Sequence, residues 1–586
     1  MTELFEPAPY DRRLALAATG LLASFNVAGV LEAGDVHVAR RVGDLGGESD
    51  ERVLLAVALA VRAVRSGSVC VDLTTVAALA PELPWPTAQD WTAAVAASPL
   101  VAAGALRLEE ALVYLDRYHR LETQVGEDLL ARVAASAPPV AEEALASALA
   151  RVRGEHLSAA QEAASVAAVR QWTTVLTGGP GTGKTTTVAR MLVLLADQAA
   201  ALGERFSVAL AAPTGKAATR LQEAVLGELA LLDPQDRERV GRPEAMTLHR
   251  LLGWRPDNAT RFRHDRGNRL KYDVVVVDEC SMVELTMMGR LLEAVRPQAR
   301  LVLVGDPRQL TSVGAGAVLA DVVRGFEGHP ASPVVSLTEN YRSTEDIKDL
   351  AEALRGGDAD EVLATLRRTS EEVEFVETDE PAEALRGDAL DAALEIRAAA
   401  EAGDHERALA ALDRHRLLCA HREGPYGVRH WNRTVERWVA EETGQPIYTA
   451  WYVGRPVLVT TNDYALGVYN GETGVAVAQP DGRLRVWVAG SESVRDLAPG
   501  RLEAIETMHA MTIHKSQGSQ AERVTVLLPE AGSRLLTREL FYTAVTRAQR
   551  QVRVVGTEAA VRAAVETQAQ RATGLRQRLL AARSAD

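Results

Sequence analysis

Cysteine is nearly missing from this chain. Only Cys70, Cys280 and Cys419 occur in 586 residues; they are too far apart for a C-x-x-C zinc or iron–sulfur site and odd in number, which excludes a disulfide framework and leaves three small buried hydrophobes. Long apolar runs are missing as well. Apolar residues at 47% and charged residues at 25% are ordinary for a globular chain, and no stretch reaches the roughly 20 uncharged apolar residues that a bilayer span needs. The opening Met1-Thr2-Glu3-Leu4-Phe5-Glu6 lacks a basic segment followed by an apolar core, so the sequence predicts a cytoplasmic protein without membrane attachment. Positive charge is not in excess either. A net charge of −14 argues against non-specific coating of nucleic acid, which works by neutralising phosphates, and leaves room only for a narrow basic channel.

What is present centres on Val175-Leu176-Thr177-Gly178-Gly179-Pro180-Gly181-Thr182-Gly183-Lys184-Thr185. An apolar strand breaks into glycines and then into a helix-forming segment, the pattern in which backbone N–H groups cradle phosphates. Gly178, Gly179, Pro180, Gly181, Thr182, Gly183, Lys184, Thr185 and Thr186 are therefore the expected nucleotide cradle. Lys184 would reach the β- and γ-phosphates, and Thr185 would ligate Mg²⁺. ATP and Mg²⁺ are the cofactors this loop predicts.

A chain of this length exceeds one hydrophobic core, and roughly three to five modules are expected. Residues 1–135 are Ala-, Leu- and Val-rich with helical spacing, as in Leu54-Leu55-Ala56-Val57-Ala58-Leu59, and carry no catalytic cluster, which suits a helical domain that docks a partner. The small-residue patch Ala135-Ser136-Ala137-Pro138-Pro139 reads as a linker. A second domain, 150–330, opens at Ser158, an N-cap, and Gln161, whose amide can donate to and accept from an adenine edge. Downstream, a short apolar strand ends in Pro213-Thr214-Gly215-Lys216, where a hydroxyl, a glycine and a lysine suit a backbone phosphate. Residues 255–271, with Arg261 and Arg263, form a cationic island with turn-formers, read as an exposed basic hairpin fit to track or part DNA strands, although charge runs are usually solvated faces.

Tyr272-Asp273-Val274-Val275-Val276-Val277-Asp278-Glu279 is the second strong signal. Four β-branched residues in a row predict a central parallel strand, and ligands bind at the carboxyl edge of such strands. Asp278 is placed to hold the metal shell and Glu279 to orient and deprotonate water. A further strand, Leu301–Val304, leads into Gly305-Asp306-Pro307-Arg308-Gln309-Leu310, where Gln309 could sense the γ-phosphate. Glu339-Asn340-Tyr341-Arg342-Ser343 then offers an arginine finger in cis. From Arg455 to Val488 short β segments broken by Asn462-Asp463, Asn470-Gly471 and Asp481-Gly482 predict a small inserted β-barrel. The parallel pattern returns around Thr512-Ile513-His514-Lys515-Ser516-Gln517-Gly518 and Tyr542-Thr543-Ala544-Val545-Thr546-Arg547-Ala548.

Taken in order from Gln161 to Arg547, these stretches resemble the motif series of superfamily 1 helicases, in particular the 5′-to-3′ branch. Within it the chain is similar to the RecD family, the alpha subunits of exodeoxyribonuclease V, on three grounds: length, a helical N-terminal domain with no helix-hairpin-helix extension, and the stretch Cys419-Ala420-His421-Arg422-Glu423-Gly424-Pro425-Tyr426-Gly427. The resemblance implies an α/β fold: two RecA-like P-loop domains with parallel sheets, a helical N-terminal domain and a small SH3-like β-barrel, with the second RecA-like domain at 331–450 and 505–586 and the barrel at 451–504. It implies that Lys184, Asp278, Glu279, Gln309, Arg342 and Arg547 are catalytic, the two arginines as fingers. It also implies that single-stranded DNA meets Thr214, Lys216, His249, Thr512, His514 and Gln517. Implied partners are single- and double-stranded DNA ends and RecB-like and RecC-like subunits in a heterotrimer acting in double-strand break repair and recombination. His249 and His514 have the weakest standing, since a lone histidine is more often a simple hydrogen-bonder.

A clustered acid-acid-lysine nuclease signature is not found, so any nuclease activity of such a complex belongs to another subunit. Two other readings stay open on the residues alone: a free-standing helicase of the same branch, and a P-loop ATPase that switches conformation to bind a protein partner. Lys184→Gln is expected to abolish nucleic-acid-stimulated ATP hydrolysis with the fold intact; near-normal turnover in that variant, measured by phosphate release beside a melting curve, would remove the phosphate loop from the account.

Overall fold

The computed structural model describes residues 11–153, 157–255, 258–311, 314–339, 345–463, 465–490, 494–533, 535–569 and 571–582. Its centre is the β-branched run. Val274–Val277 is a strand buried at all four positions, flanked by Val208–Ala212 and Arg300–Gly305. A strand covered on both faces has no polar side to present, which is why the run does not alternate. The sheet has six strands in the order Val334–Leu337, Thr173–Gly178, Arg300–Gly305, Val274–Val277, Val208–Ala212, Ala245–Thr247, and every pairing is parallel. Parallel strands all end on one edge, so each loop that follows a strand opens on the same side.

A second parallel sheet comes from the other half of the chain, in the order Val373–Glu377, Ala548–Gly556, Ala521–Leu527, His415–Cys419, Ala510–Thr512. The stretch 345–415, rich in acidic residues, supplies its cover: helices Glu345–Gly356, Ala359–Leu366, Pro381–Glu401 and His405–Leu412 bury their apolar faces, and the edge strand Val373–Glu377 lies among them.

Between Cys419 and Ala510 the chain leaves this sheet. Pro456–Val459, Thr473–Ala478, Leu484–Ala489, Val494–Leu497 and Ile505–Thr507 form a five-stranded antiparallel sheet. Asp481-Gly482 makes the expected hairpin turn, with Gly482 at φ 79° and Gln479 N–H donating to the Arg483 carbonyl at 2.8 Å.

The N-terminal region is helical as expected, though not wholly so. Helix Glu51–Arg65, capped by Asp50 accepting from the Arg52 N–H, buries every residue from Leu55 to Ala60, the mark of a helix enclosed on all sides. Three short strands, Cys70–Asp72, Leu106–Glu109 and Leu112–Leu115, pair antiparallel beside it. At three or four residues each they are too short for an alternating pattern to register in a sequence.

Two devices tie this region to the first sheet. Helix Asp116–Ala134 carries the buried Arg132, whose Nε donates to Thr173 Oγ1 at 2.7 Å and whose Nη atoms donate to the carbonyls of Arg296, Trp172 and Ala299 at 3.0, 2.8 and 2.6 Å. Burial depresses this guanidinium to about 10, so it stays charged and binds carbonyls at the root of the phosphate-loop strand. The second device is the C-terminal segment. After the second sheet the chain returns: Arg571 donates to the Gly314 carbonyl at 2.6 Å, the Ala572 carbonyl accepts from the Val69 N–H at 2.8 Å, and Gly574 N–H donates to the fully buried Glu122 at 3.1 Å. Leu575 and Leu579 of helix Leu575–Ala582 then join the apolar core under the first sheet.

The basic stretch folds as strands Trp254–Arg255 and Asn258–Phe262, followed by the tight turn Asp265–Asn268. It leans on the N-terminal region, Arg266 donating to both oxygens of Asp128 at 2.9 Å. Among the described residues no helix is long and apolar enough to cross a membrane.

Arg132→Met keeps the apolar stem but takes the guanidinium donor from three carbonyls and a hydroxyl; the Trp172 and Arg296 carbonyls keep the Leu301 and Ala299 N–H groups, while the Ala299 carbonyl and Thr173 Oγ1 lose a buried partner. The loss expected is on the order of 3 kcal/mol, read as a lower first unfolding transition and earlier proteolysis after Ala134. A change within about 0.5 kcal/mol would mean the helix is held by its apolar face alone.

Candidate nucleotide and nucleic-acid site

Thr173–Gly178 delivers the glycine loop to the carboxyl edge of the first sheet, and helix Lys184–Leu202 starts immediately after it. Gly181 and Gly183 have φ values of 81° and 78°, a left-handed conformation that costs any residue with a Cβ. Gly178 is needed for a different reason. A Cβ there would stand 2.4 Å from Thr182 Oγ1 and 3.0 Å from the Leu337 carbonyl oxygen. Lys184 Nζ donates to the carbonyls of Gly178 and Gly179 at 2.8 and 2.9 Å, which folds the ammonium over the loop.

The two carboxylates follow the central strand as the sequence requires. Asp278 is partly buried, and burial first, then the neighbouring Glu279 carboxylate, pushes its carboxyl up to about 6 against the pull of Lys184. Glu279 has φ 51°, one of two non-glycine residues with positive φ among those described. Such backbone costs on the order of 1–3 kcal/mol and persists only where its surroundings hold it; here Glu279 N–H donates to Asp278 Oδ1 at 2.8 Å.

Facing these groups across a cleft of about 1490 Å³ is the second sheet's module. Lys184, Thr185, Asp278, Glu279, Gln309 and Arg547 all line that cleft, as do Gln161, Pro180, Gly181, Gly183 and Thr186. Arg547 is buried, its Nε donating to the Thr543 carbonyl at 3.2 Å and Nη1 to the Ser519 carbonyl at 3.3 Å. Burial lowers its affinity for the proton while Glu279 and Asp306 raise it. Arg342 lies outside the described residues. Gln161 closes a capping box with Ser158, its Oε1 accepting from the Ser158 N–H at 3.1 Å. Thr186 donates to Glu228 at 2.9 Å.

The residues expected to meet DNA divide into groups. Thr214 caps helix Gly215–Ala230, accepting from the Ala217 N–H, and Lys216 follows on its first turn, its ammonium pushed down to about 7 by burial and by Arg416. Thr512 caps the turn Ile513–Ser516, and burial holds the His514 imidazole down at about 4. Gly518 brings this turn against Ala217 and Thr214, and Arg220 donates to the Gly518 carbonyl at 2.9 Å. Thr214, Lys216 and this turn are thereby gathered at the junction of the two modules. Gln517 is buried and donates to the Leu310 carbonyl at 2.5 Å, toward the nucleotide cleft. His249 sits apart, on the short helix Leu248–Leu252, its ring 5.9 Å from Phe262 of the basic hairpin, beside which Arg261 and Arg263 are exposed.

Sequence reasoning passed over Arg220, Glu228, Asp306 and Tyr542. Arg220 follows Lys216 by one helical turn and could have been found from that spacing. Tyr542 could not: beside the buried Phe541 it reads as core.

No group of three His, Cys, Asp or Glu side chains that could hold a metal occurs among the described residues. A divalent ion here would draw on Asp278 and the Thr185 hydroxyl, hard oxygen donors that suit Mg²⁺, and complete its shell with water and phosphate oxygens.

Three family models match the chain: RecBCD enzyme subunit RecD, N-terminal domain, over residues 27–114; an AAA domain over 161–315; and the UvrD-like helicase C-terminal domain over 507–555. The RecBCD enzyme subunit RecD of Mycobacterium tuberculosis is 57% identical over 574 residues, 97% of this chain and 98% of that protein. That of Mycolicibacterium smegmatis is 59% identical over 555 residues, 94% and 98% of the two chains. The ATP-dependent RecD2 DNA helicase of Deinococcus radiodurans is 33% identical over 498 residues, 83% of this chain and 61% of that helicase.

Asp278 generates a pH-dependent prediction. Its folded-state value of about 6 lies above the ordinary 3.8, so its favourable contribution is complete below the ordinary value and is lost as pH rises through about 6. Asp278→Asn should therefore melt above the parent at about pH 8, by on the order of 1–3 kcal/mol without nucleotide or metal, and the gap should close by about pH 4.5. A gap independent of pH would contradict this electrostatic account.

Proposed function

We infer, from the fact that the chain belongs to the RecD family, that it is an ATP-dependent DNA helicase, the motor subunit of a RecBCD-type complex. The observation that carries this reading is the split cleft: Lys184, Asp278 and Glu279 stand on one parallel sheet's edge and Arg547 on a segment belonging to the other. A site so divided is complete only when the two modules close, and closure driven by nucleotide is a means of moving along a strand.

In this reading Lys184 and the loop amides bind the β- and γ-phosphates of ATP. Thr185 and Asp278 would hold Mg²⁺, which supplies charge neutralisation at the phosphates when bound. Glu279 orients the attacking water and takes its proton, and Gln309 senses the γ-phosphate. Arg547, with Arg342 as the second finger, stabilises the charge that develops on the transferred group. Gln161 lines the cleft at the end where the base would lie. DNA would follow the junction where Thr214, Lys216, Thr512 and His514 gather, with the hairpin bearing Arg261 and Arg263 parting the strands. Movement is assigned 5′ to 3′.

The domains proposed are 1–135 for docking RecB-like and RecC-like partners, 150–330 and 331–450 with 505–586 as the two RecA-like bodies, and 451–504 as the SH3-like insert. The cytoplasm is the compartment assigned, because DNA ends are the substrate. Glu279, Gln309 and the arginines favour turnover over a switch that only binds nucleotide.

Arg547→Ala should cut ATP turnover stimulated by single-stranded oligonucleotide by at least about a hundredfold while nucleotide still binds. Wild-type turnover that ignores the oligonucleotide would favour the switch reading. Co-purification from the source cell should bring down RecB-like and RecC-like subunits; a monomer that unwinds long duplexes alone would favour a free-standing helicase.

A further inference from the structure

One buried hydroxyl at the seam of the two modules has no part in the reading above. Tyr542 belongs to helix Arg538–Val545 of the second module and is 4% exposed. Packing explains the ring, which shares the core of that module with Phe541. It does not explain the phenol, which crosses the cleft and donates to Asp306 Oδ2 at 3.0 Å. Asp306 follows strand Arg300–Gly305 of the first module.

Tyr542 is not alone in reaching across. Thr543 Oγ1 accepts from the Leu310 N–H at 2.8 Å, and Gln517 Nε2 donates to the Leu310 carbonyl at 2.5 Å. Three contacts from the second module thus grip the segment 306–310 on both sides of Gln309. Gln309 is buried, and its own amide is directed at Asp306 Oδ2, at 3.4 Å. The phenol also lies against the phosphate loop: a Cβ on Gly179 would stand 3.1 Å from Tyr542 Oη. Burial and the Asp306 carboxylate hold the phenol well above its ordinary value, so it keeps its proton and remains a donor.

We propose that Tyr542 is a positioning residue for ATP hydrolysis: when the modules close, its hydroxyl seats on Asp306 and, through Asp306, fixes the Gln309 amide beside the phosphate loop. The hydroxyl touches neither water nor phosphate in this scheme. It makes the placement of Gln309 conditional on closure, because an open cleft parts Tyr542 from Asp306 and leaves the amide unheld. A hydrogen bond to a buried carboxylate is strong enough for that task, since losing it leaves Asp306 Oδ2 with only the 3.4 Å contact from the Gln309 amide, while Oδ1 keeps the Arg308 N–H at 3.0 Å.

The proposal rests on the ATP-driven motor reading, and the test separates the two. In the full-length chain, turnover stimulated by single-stranded oligonucleotide is measured as the part that Lys184→Gln abolishes. Tyr542→Phe, which removes one oxygen and keeps the ring, should lower kcat at least about tenfold with KM for ATP within about twofold, at assay temperatures well below the variant's own melting midpoint. Asp306→Ala should lose a similar factor, and Tyr542→Phe added to it should cost nothing further, the signature of two residues acting as one unit. A kcat within twofold of the parent, multiplicative losses in the double variant, or a loss that follows a lowered melting midpoint and recovers on cooling would each overturn the assignment. A parent chain without Lys184-dependent turnover would overturn the motor reading and this role with it.

Discussion

The structure depends on the directional constraint of parallel strands. Because every strand in both sheets runs one way, each sheet presents the loops at its strand ends along a single edge, and polar residues can collect there without interrupting a strand. The buried run Val274–Val277 and the carboxylates that follow it are two expressions of that rule. Setting a second such sheet against the first gives a cleft whose walls come from distant parts of the chain, with charge on both sides and apolar packing behind each.

That arrangement explains an electrostatic oddity. A chain with net charge −14 collects Lys216, Arg220, Arg416 and Arg547 at or near the seam of its two modules, each made less basic by burial. Cations held away from solvent retain their field over distance, because water does not screen them. Acidic side chains on the outer helices and cations along the seam thus set charge of opposite sign on the outside of the molecule and between its modules.

Much of this was legible in the sequence, for physical reasons. Glycines at Gly178 through Gly183 and paired carboxylates after a β-branched strand are local patterns, fixed by backbone geometry within a few residues. The strands Cys70–Asp72, Leu106–Glu109 and Leu112–Leu115 were not legible, since each is shorter than the window in which alternation can be counted, and Val373–Glu377 was lost among acidic helices. Gln517 and Tyr542 show a different limit. Their partners, Leu310 and Asp306, lie more than two hundred residues away, and only the folded chain reveals which side of the seam a polar atom serves. The left-handed backbone at Glu279 was equally hidden, because nothing in an Asp-Glu pair announces a twist in its main chain.

The returning C-terminal segment has a mechanical meaning. The second sheet's module is joined to the first at Val334–Leu337, where the chain departs, and again at Arg571–Leu579, where it comes back and locks against Glu122 and the helix that carries it. A body hung from two attachments can rock about the line between them, but it cannot swivel freely. Two chain crossings constrain the modules more than one would, as in a jaw with two condyles rather than a ball on a string.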